Sequence, residues 1–419
     1  MAKLHIDGGT SLNGTIAVSG AKNAALKMMA AALLTDGVVQ LHNVPDIADI
    51  HAMQKILTSL GARVSYQNHD MVIDCKDVQN PEPDVQLVKH LRGSVVIIGP
   101  LLARFGRVKI PQPGGCLIGA RPIDTHIRGL RQLGVAVNQD NEFYEFSAPT
   151  LRAGRVVLSE MSVTATENVL MAAVMADGVT EIRLAASEPE IADLAAMLNA
   201  MGARIEGAGT SVIRVTGVTS LHGAEHTVIP DRIEAGTLAV AAAVSRGDVR
   251  ITDLNIDHMD LVLQKLTDAN VVYEVEGSSV LHIKPTTMFR PVTIDTRPYP
   301  GFPTDLQAPF SVLLTQADGT STIFETLFDG RLGYTKELCK MGADITVTNS
   351  HTALVNGPTP LYGKEITSFD LRAGATLVIA SIIASGESII NKSELIDRGY
   401  ERLAERLSTL GARIKRIDD

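Results

Sequence analysis

Cysteine is scarce in this chain, with three in 419 residues, at positions 75, 116 and 339. That is too few for a disulfide framework, and it points to reduced thiols in a cytosolic protein. Positive charge is outnumbered, 38 Lys and Arg against 47 Asp and Glu, leaving a net charge of −9. That balance argues against general binding to nucleic acid or an anionic membrane, although a few arginines can still gather locally. Long apolar runs are missing too. "SVVIIGPLLA" and "ATLVIASIIA" fall short of the roughly 18 residues a membrane-spanning helix needs. The opening "MAKLHIDGGT" has no apolar stretch, so no secretory signal is expected. The eleven histidines show no metal-ligand spacing, and there is no HExxH, CxxC pair or EF-hand loop. No metal and no cofactor are expected. GxGxxG and GxxxxGK[ST] phosphate loops are absent, which excludes a nicotinamide-binding fold and a P-loop enzyme.

What the chain does have is hydrophobic content of 45%, enough for well-filled cores, in a length that implies two domains or a large repeat protein. It repeats itself six times. An Ala-rich helical run ending near glycine and followed by a strand recurs as "AAALLTDGVVQL", "GPLLARFGRVKI", "AAVMADGVTEI", "AAAVSRGDVRI", "LLTQADGTSTI" and "SIIASGESII". A second landmark, as in "LTSLGARV" and "LSTLGARI", places Gly61, Gly134, Gly202, Asn270, Gly342 and Gly411 in register. Asn is the other residue that readily takes the left-handed conformation ending a helix. Each unit of roughly 70 residues reads as helix, stop, strand, helix, stop, strand, with further short strands before the next. Three such α/β layers could enclose one core, giving two domains with crossings near residues 20 and 230.

The starts of the first helices share a character. They read "SGAKNAAL", "KHLRGSVV", "SVTATENV", "PDRIEAGT", "FPTDLQAP" and "FDLRAGAT". Each offers Ser, Thr or Asp as a cap, and capping alone suffices for Ser162 and Thr164. Lys22, Arg92, Arg232 and Arg372 stand there as well, where free N–H groups already favour anions. Facing domains would line one cleft with them, suited to a phosphate or carboxylate. Arg331 and Arg398 add to this set, whereas Arg402 and Arg406 read as exposed helix charges. Asp305 reads either as a helix cap or, among arginines, as a base toward a hydroxyl. Cys116, in "PQPGGCLIGARP", is either a small buried hydrophobe or a reactive thiol beside Arg121. Cys339 reads as core and Cys75 as a strand residue.

The fragments "SGAKNAAL", "PGGCLIGARPID", "SVTATEN", "PDRIEAGT", "GFPTDLQA", "DLRAGA" and "IDRGYERL" closely resemble the bacterial UDP-N-acetylglucosamine 1-carboxyvinyltransferases, or enolpyruvyl transferases. The resemblance runs over essentially the whole chain. It implies a two-domain inside-out α/β barrel of six βαβαββ units, three per domain. The domains would be 22–229 and 1–21 plus 230–419, with the site in the cleft between them. It implies transfer of the enolpyruvyl group of phosphoenolpyruvate to the 3-hydroxyl of UDP-N-acetylglucosamine, the first committed step of peptidoglycan synthesis.

By the same resemblance Cys116 is the acid at the methylene carbon, Asp305 the base, and Lys22 a third catalytic group. Phosphoenolpyruvate would be held by Lys22, Asn23, Arg121, Arg331, Arg372 and Arg398. The nucleotide would be held by Arg92, Arg121, Pro122, Ile123, Asp124, Thr125, Ser162, Val163, Thr164, Asp305 and Leu327. Neither nucleic acid nor a membrane is an expected partner. Three departures from the family pattern concern the acceptor side: Lys27 after "NAAL", Glu160, and "DGRLGYT" around Arg331. Alternatives are transfer to another acceptor, such as a different uridine nucleotide or shikimate 3-phosphate, a silent nucleotide-binding paralogue, and a repeat scaffold.

Overall fold

The computed structural model describes residues 2–112 and 122–418. Cys116 and Arg121 lie outside the described residues. Two compact units divide the rest, one of residues 20–112 and 122–229, the other of residues 2–19 and 230–418. Each has a separate hydrophobic core.

Within each unit, Ala-rich helices form the interior because small side chains on every face allow helices to pack closely on all sides. In Arg232–Val244 every residue from Ile233 onward is buried, and Leu371–Ile383 is buried from Arg372 to Ile382. The counterpart helices are Lys22–Ala31, Ile98–Phe105, Val163–Ala173 and Thr304–Thr315. Two of these helices meet closely where Gly99 faces Asn168, since a Cβ at Gly99 would lie 2.3 Å from the Asn168 carbonyl oxygen. Fully buried Asn168 accepts from the Gly99 N–H at 2.7 Å and donates to the carbonyls of Val95 (3.1 Å) and Thr164 (2.9 Å). Its amide is satisfied as a buried polar group must be.

Sheets cover these helices, with residues alternating between core and solvent. In Val38–His42, for example, Val39 and Leu41 are buried while Val38 and Gln40 are exposed. The unit of residues 20–229 carries sheets ordered Glu225–Thr227, Val38–His42, Asp70–Asp74, Arg63–Gln67; then Arg107–Pro111, Phe143–Ser147, Ala136–Gln139; then Arg204–Glu206, Val212–Thr216, Val179–Arg183, Arg155–Val157. In the other unit the amino-terminal strands join carboxy-terminal ones. Asn13–Ala17 runs parallel to Asp248–Thr252, and Ala2–Asp7 lies antiparallel between Glu387–Asn391 and Arg413–Asp418.

The second helix of each repeat ends on its landmark residue. Gly61, Gly134, Gly202, Gly342 and Gly411 have φ between 88° and 107°, and Asn270 has φ 65°. The Asn270 side chain also donates to the Met288 carbonyl at 2.9 Å, so asparagine serves both the stop and the following turn. Three readings need correction, two of cysteine and one of arginine. Cys339 is exposed rather than core, while Cys75 is buried just beyond the strand Asp70–Asp74. Arg406 is no free helix charge: it reaches inward to the buried Glu234 carboxylate at 2.5 Å and to Ser19 at 3.2 Å.

Candidate active site

In the unit containing residues 230–418, Asp305, Arg331 and Arg372 come together. Asp305 is the second residue of Thr304–Thr315, whose capping position is Pro303 with no side-chain cap. The capping expectation for Asp305 therefore fails. Its carboxylate instead accepts from Arg331 Nη2 at 2.5 Å on one oxygen. The other oxygen accepts from Arg372 Nε at 3.0 Å and lies 3.0 Å from Nη2. The two guanidinium side chains are 6% and 4% exposed, against 26% for Asp305. Two buried cations thus share one partly open carboxylate.

Local sequence explains each position. Arg372 is second in its helix because Asp370 caps that helix, accepting from the N–H groups of Arg372 (2.8 Å) and Ala373 (2.9 Å). The Arg372 guanidinium lies 5.0 Å from the Tyr400 ring centroid, and its Nη1 is buried with no hydrogen-bond partner. Burial alone would lower its pKa, but Tyr400, Asp305 and Asp231 together push it up. Tyr400 is fixed from behind by Thr237 at 2.9 Å. Arg398, partly exposed, closes the 3₁₀ turn Ser393–Arg398 two residues earlier.

Arg331 opens the turn Arg331–Tyr334, in which Tyr334 donates to Gln307 at 2.7 Å and Gln307 reaches the Arg331 carbonyl at 3.5 Å. The loop ahead is pinned by Glu325, a residue that sequence reasoning missed. Fully buried, it accepts from Thr296, Thr304, Leu327 N–H and Phe328 N–H at 3.0, 2.6, 2.8 and 3.3 Å. Leu327 is left exposed at the surface. Arg232 stacks 5.3 Å from the Tyr299 ring centroid, on a helix capped by Asp231.

In the unit of residues 20–229, Lys22 begins its helix and bonds Asp49 at 3.0 Å, with both side chains nearly buried. Asp49 is a second partner that sequence reasoning missed; it sits in the first turn of Ala48–Ser59. Asn23, beside Lys22, is partly exposed. Of the nucleotide set, Ile123 and Thr125 are buried, Pro122 and Asp124 exposed, and Arg92, Ser162, Val163 and Thr164 intermediate. Ser162 precedes its helix without a side-chain capping bond, contrary to the capping reading. Its carbonyl, not its hydroxyl, accepts from Thr166.

Thr125 donates to Glu160 at 2.8 Å and lies 3.0 Å from the Ser159 hydroxyl. Next to it His126 pairs with Thr164 at 2.8 Å. Burial, and then the charge of Arg92, lower the His126 pKa to about 4, so the ring is neutral near pH 7. Lys27, deep in the same unit, lies 3.7 Å from Glu167. Burial raises the Glu167 carboxyl to about 8, more than Lys27 can offset.

Comparison with known proteins follows these contours. The family model described as "EPSP synthase (3-phosphoshikimate 1-carboxyvinyltransferase)" matches residues 6–407. A UDP-N-acetylglucosamine 1-carboxyvinyltransferase of Acidobacterium capsulatum is 45% identical over 421 residues, covering 100% of this chain and 96% of the relative. UDP-N-acetylglucosamine 1-carboxyvinyltransferase 2 of Carboxydothermus hydrogenoformans is 46% identical over 420 residues, covering 100% of both. Among solved structures, the enolpyruvyl transferase NikO from Streptomyces tendae superimposes with a TM-score of 0.90 at 25% identity, covering 99% of this chain and 98% of that one. EPSP synthase from Acinetobacter baumannii gives 0.76 at 18% identity over 100% of both chains, a likeness of fold alone. The chain belongs to the enolpyruvyl transferase family, on the branch of the UDP-N-acetylglucosamine 1-carboxyvinyltransferases.

Proposed function

We propose that this transferase moves the enolpyruvyl group of phosphoenolpyruvate onto the 3-hydroxyl of UDP-N-acetylglucosamine, releasing phosphate, as a cytoplasmic step of peptidoglycan synthesis. No helix among the described residues is long and apolar enough to cross a membrane. The observation that carries the reading is Asp305 held between buried Arg331 and Arg372.

Forked guanidiniums match a planar carboxylate, and Arg372 Nη1 is buried without a hydrogen-bond acceptor. The carboxylate of phosphoenolpyruvate supplies one. As it draws the guanidiniums onto itself, Asp305 is released from them and its oxygens become free to accept a proton. Binding of one substrate thereby readies the base for the other, the sugar hydroxyl. Cys116 protonates the methylene carbon, and the hydroxyl oxygen bonds the adjacent carbon as Asp305 takes its proton. A methyl proton then passes to the Cys116 thiolate as the C–O bond to phosphate breaks, which restores the double bond, and the departing phosphate takes the proton held by Asp305. Lys22, Arg121 and Arg398 hold the phosphate, and removing a central cation is expected to slow the reaction by about 10²–10³-fold.

A second acceptor reading rests on Glu160, which occupies Thr125 through a carboxylate and disfavours a diphosphate nearby. Phosphate release from phosphoenolpyruvate, measured with and without UDP-N-acetylglucosamine and in Cys116→Ser, decides. Release that requires the nucleotide and collapses in the variant supports transfer to this acceptor. Release only with another uridine nucleotide moves the assignment there.

A further inference from the structure

A second cluster of charged side chains lies on another sheet, ordered Tyr273–Glu276, Val280–Ile283, Asp248–Thr252, Asn13–Ala17. His282 stands on an inner strand, with Glu274 opposite it on one neighbour and Arg250 opposite it on the other. Directly opposed residues share a face, as do residues two apart, so Glu276 and Asp248 join them. Long side chains cover the ring, leaving the His282 side chain 10% exposed.

The two ring nitrogens have different surroundings. Nε2 lies 2.7 Å from Asp248 Oδ1. Nδ1 is buried and makes no hydrogen bond, although Glu276 Oε1 is 3.5 Å away. One ligand atom from each of Glu274, Glu276 and His282 lies within 4.8 Å of the others.

We propose that His282, Glu274 and Glu276 bind one zinc ion, through His282 Nδ1 and one oxygen of each carboxylate. Asp248 holds the ring proton on Nε2, which leaves the Nδ1 lone pair, 3.5 Å from Glu276 Oε1, open to a cation. A carboxylate behind the histidine is the usual support of a metal-bound imidazole. One nitrogen and two oxygens with a fourth position left to water suit zinc. In a tetrahedral site ligand atoms are about 3.3 Å apart, so the carboxylates move inward by about 1.5 Å. That is within the swing of a glutamate side chain. Lys284 on Glu274 and Arg250 on Glu276 are displaced. Both pairs are solvent-exposed and weakly held. The ligands come from one hairpin, Glu-x-Glu followed by His on the returning strand, so binding ties the two strands together.

The test is calorimetric titration of the full-length, chelator-treated chain with zinc chloride. One equivalent is expected to bind, at least tenfold more weakly in His282→Gln and in Glu276→Gln, and unchanged in Cys116→Ser, which removes a competing thiol. Zinc also raises the melting temperature of the wild type and not of the two ligand variants. Glu276 is partly exposed, so its variant folds even if the histidine variant does not. Absence of uptake by the wild type, or uptake equal in both ligand variants, overturns the site.

Discussion

Asp305→Asn keeps the shape of the side chain and removes the charge shared by two guanidiniums. Arg331 and Arg372 are 6% and 4% exposed, so neither gains much solvation when the carboxylate is lost. Removing one member of a fully buried ionic set costs about 3–5 kcal/mol. Asp305 itself is 26% exposed, and solvent screening reduces that to about 2 kcal/mol. At about 2–4 °C per kcal/mol for a domain of this size, melting falls by about 4–8 °C. Catalysis falls much further, because loss of a positioned base slows a reaction by about 10²–10⁴-fold. Differential scanning calorimetry reads the first effect, and phosphate release at saturating substrates reads the second. A variant that melts early yet turns over within about threefold of wild type refutes the role of Asp305 as base. A variant with unchanged melting refutes the electrostatic argument.

Glu167→Gln tests the buried Lys27 pair. With its folded carboxyl raised from 4.5 to about 8, the folded state holds a proton that the unfolded state has lost. Stability therefore falls as pH rises from 4.5 to 8, by about 5 kcal/mol at most; the glutamine variant should flatten that slope in urea unfolding, and an unchanged slope counts against it. His126 has the opposite sign. Lowered to about 4, it loses stability as pH falls from 6.5 to 4, and His126→Gln should lessen acid sensitivity in the same titration. Arg406→Leu strands the buried Glu234 carboxylate and should destabilise by about 3 kcal/mol, whereas Arg402→Ala, on an exposed pair, should stay within about 0.5 kcal/mol. Cys116 should be alkylated by the epoxide fosfomycin when nucleotide is present, and intact-mass spectrometry finding no adduct there would count against it as the reactive thiol.

The repeat was legible because its signals are local. A helix stop needs one residue able to take positive φ, and Asn270 at φ 65° follows the same rule as its five glycine counterparts. The Ala-rich helical runs were legible for a similar reason, whereas their interior position came from the family resemblance. The partnerships were not legible. Asp305, Arg331 and Arg372 are 26 to 67 residues apart, and spacing alone cannot distinguish a capping carboxylate from one clasped by distant arginines. Arg406 sits in a polar helix pattern, yet its length lets it reach a buried carboxylate 172 residues away. Cys339 failed the other way: its helix is only six residues long, so half of it faces solvent. Glu325 and Asp49 left no signal, because a buried acid in a loop or first helical turn looks like any surface acid until its partners are known.

The pairing of Ala2–Asp7 with Glu387–Asn391 and Arg413–Asp418 also sets an order of events on the ribosome. Residues 20–229 emerge as a continuous block with all their sheet partners. The strands ahead of them must wait: Asn13–Ala17 for residue 248 and Ala2–Asp7 for residue 387. At about 5–20 residues per second that delay is tens of seconds. For that interval Ala2–Asp7 is an unmatched strand, the kind of edge that invites wrong pairing. Its alternating pattern, with His5 and Lys3 between buried apolar residues and Asp7 at its end, keeps one face charged while it waits.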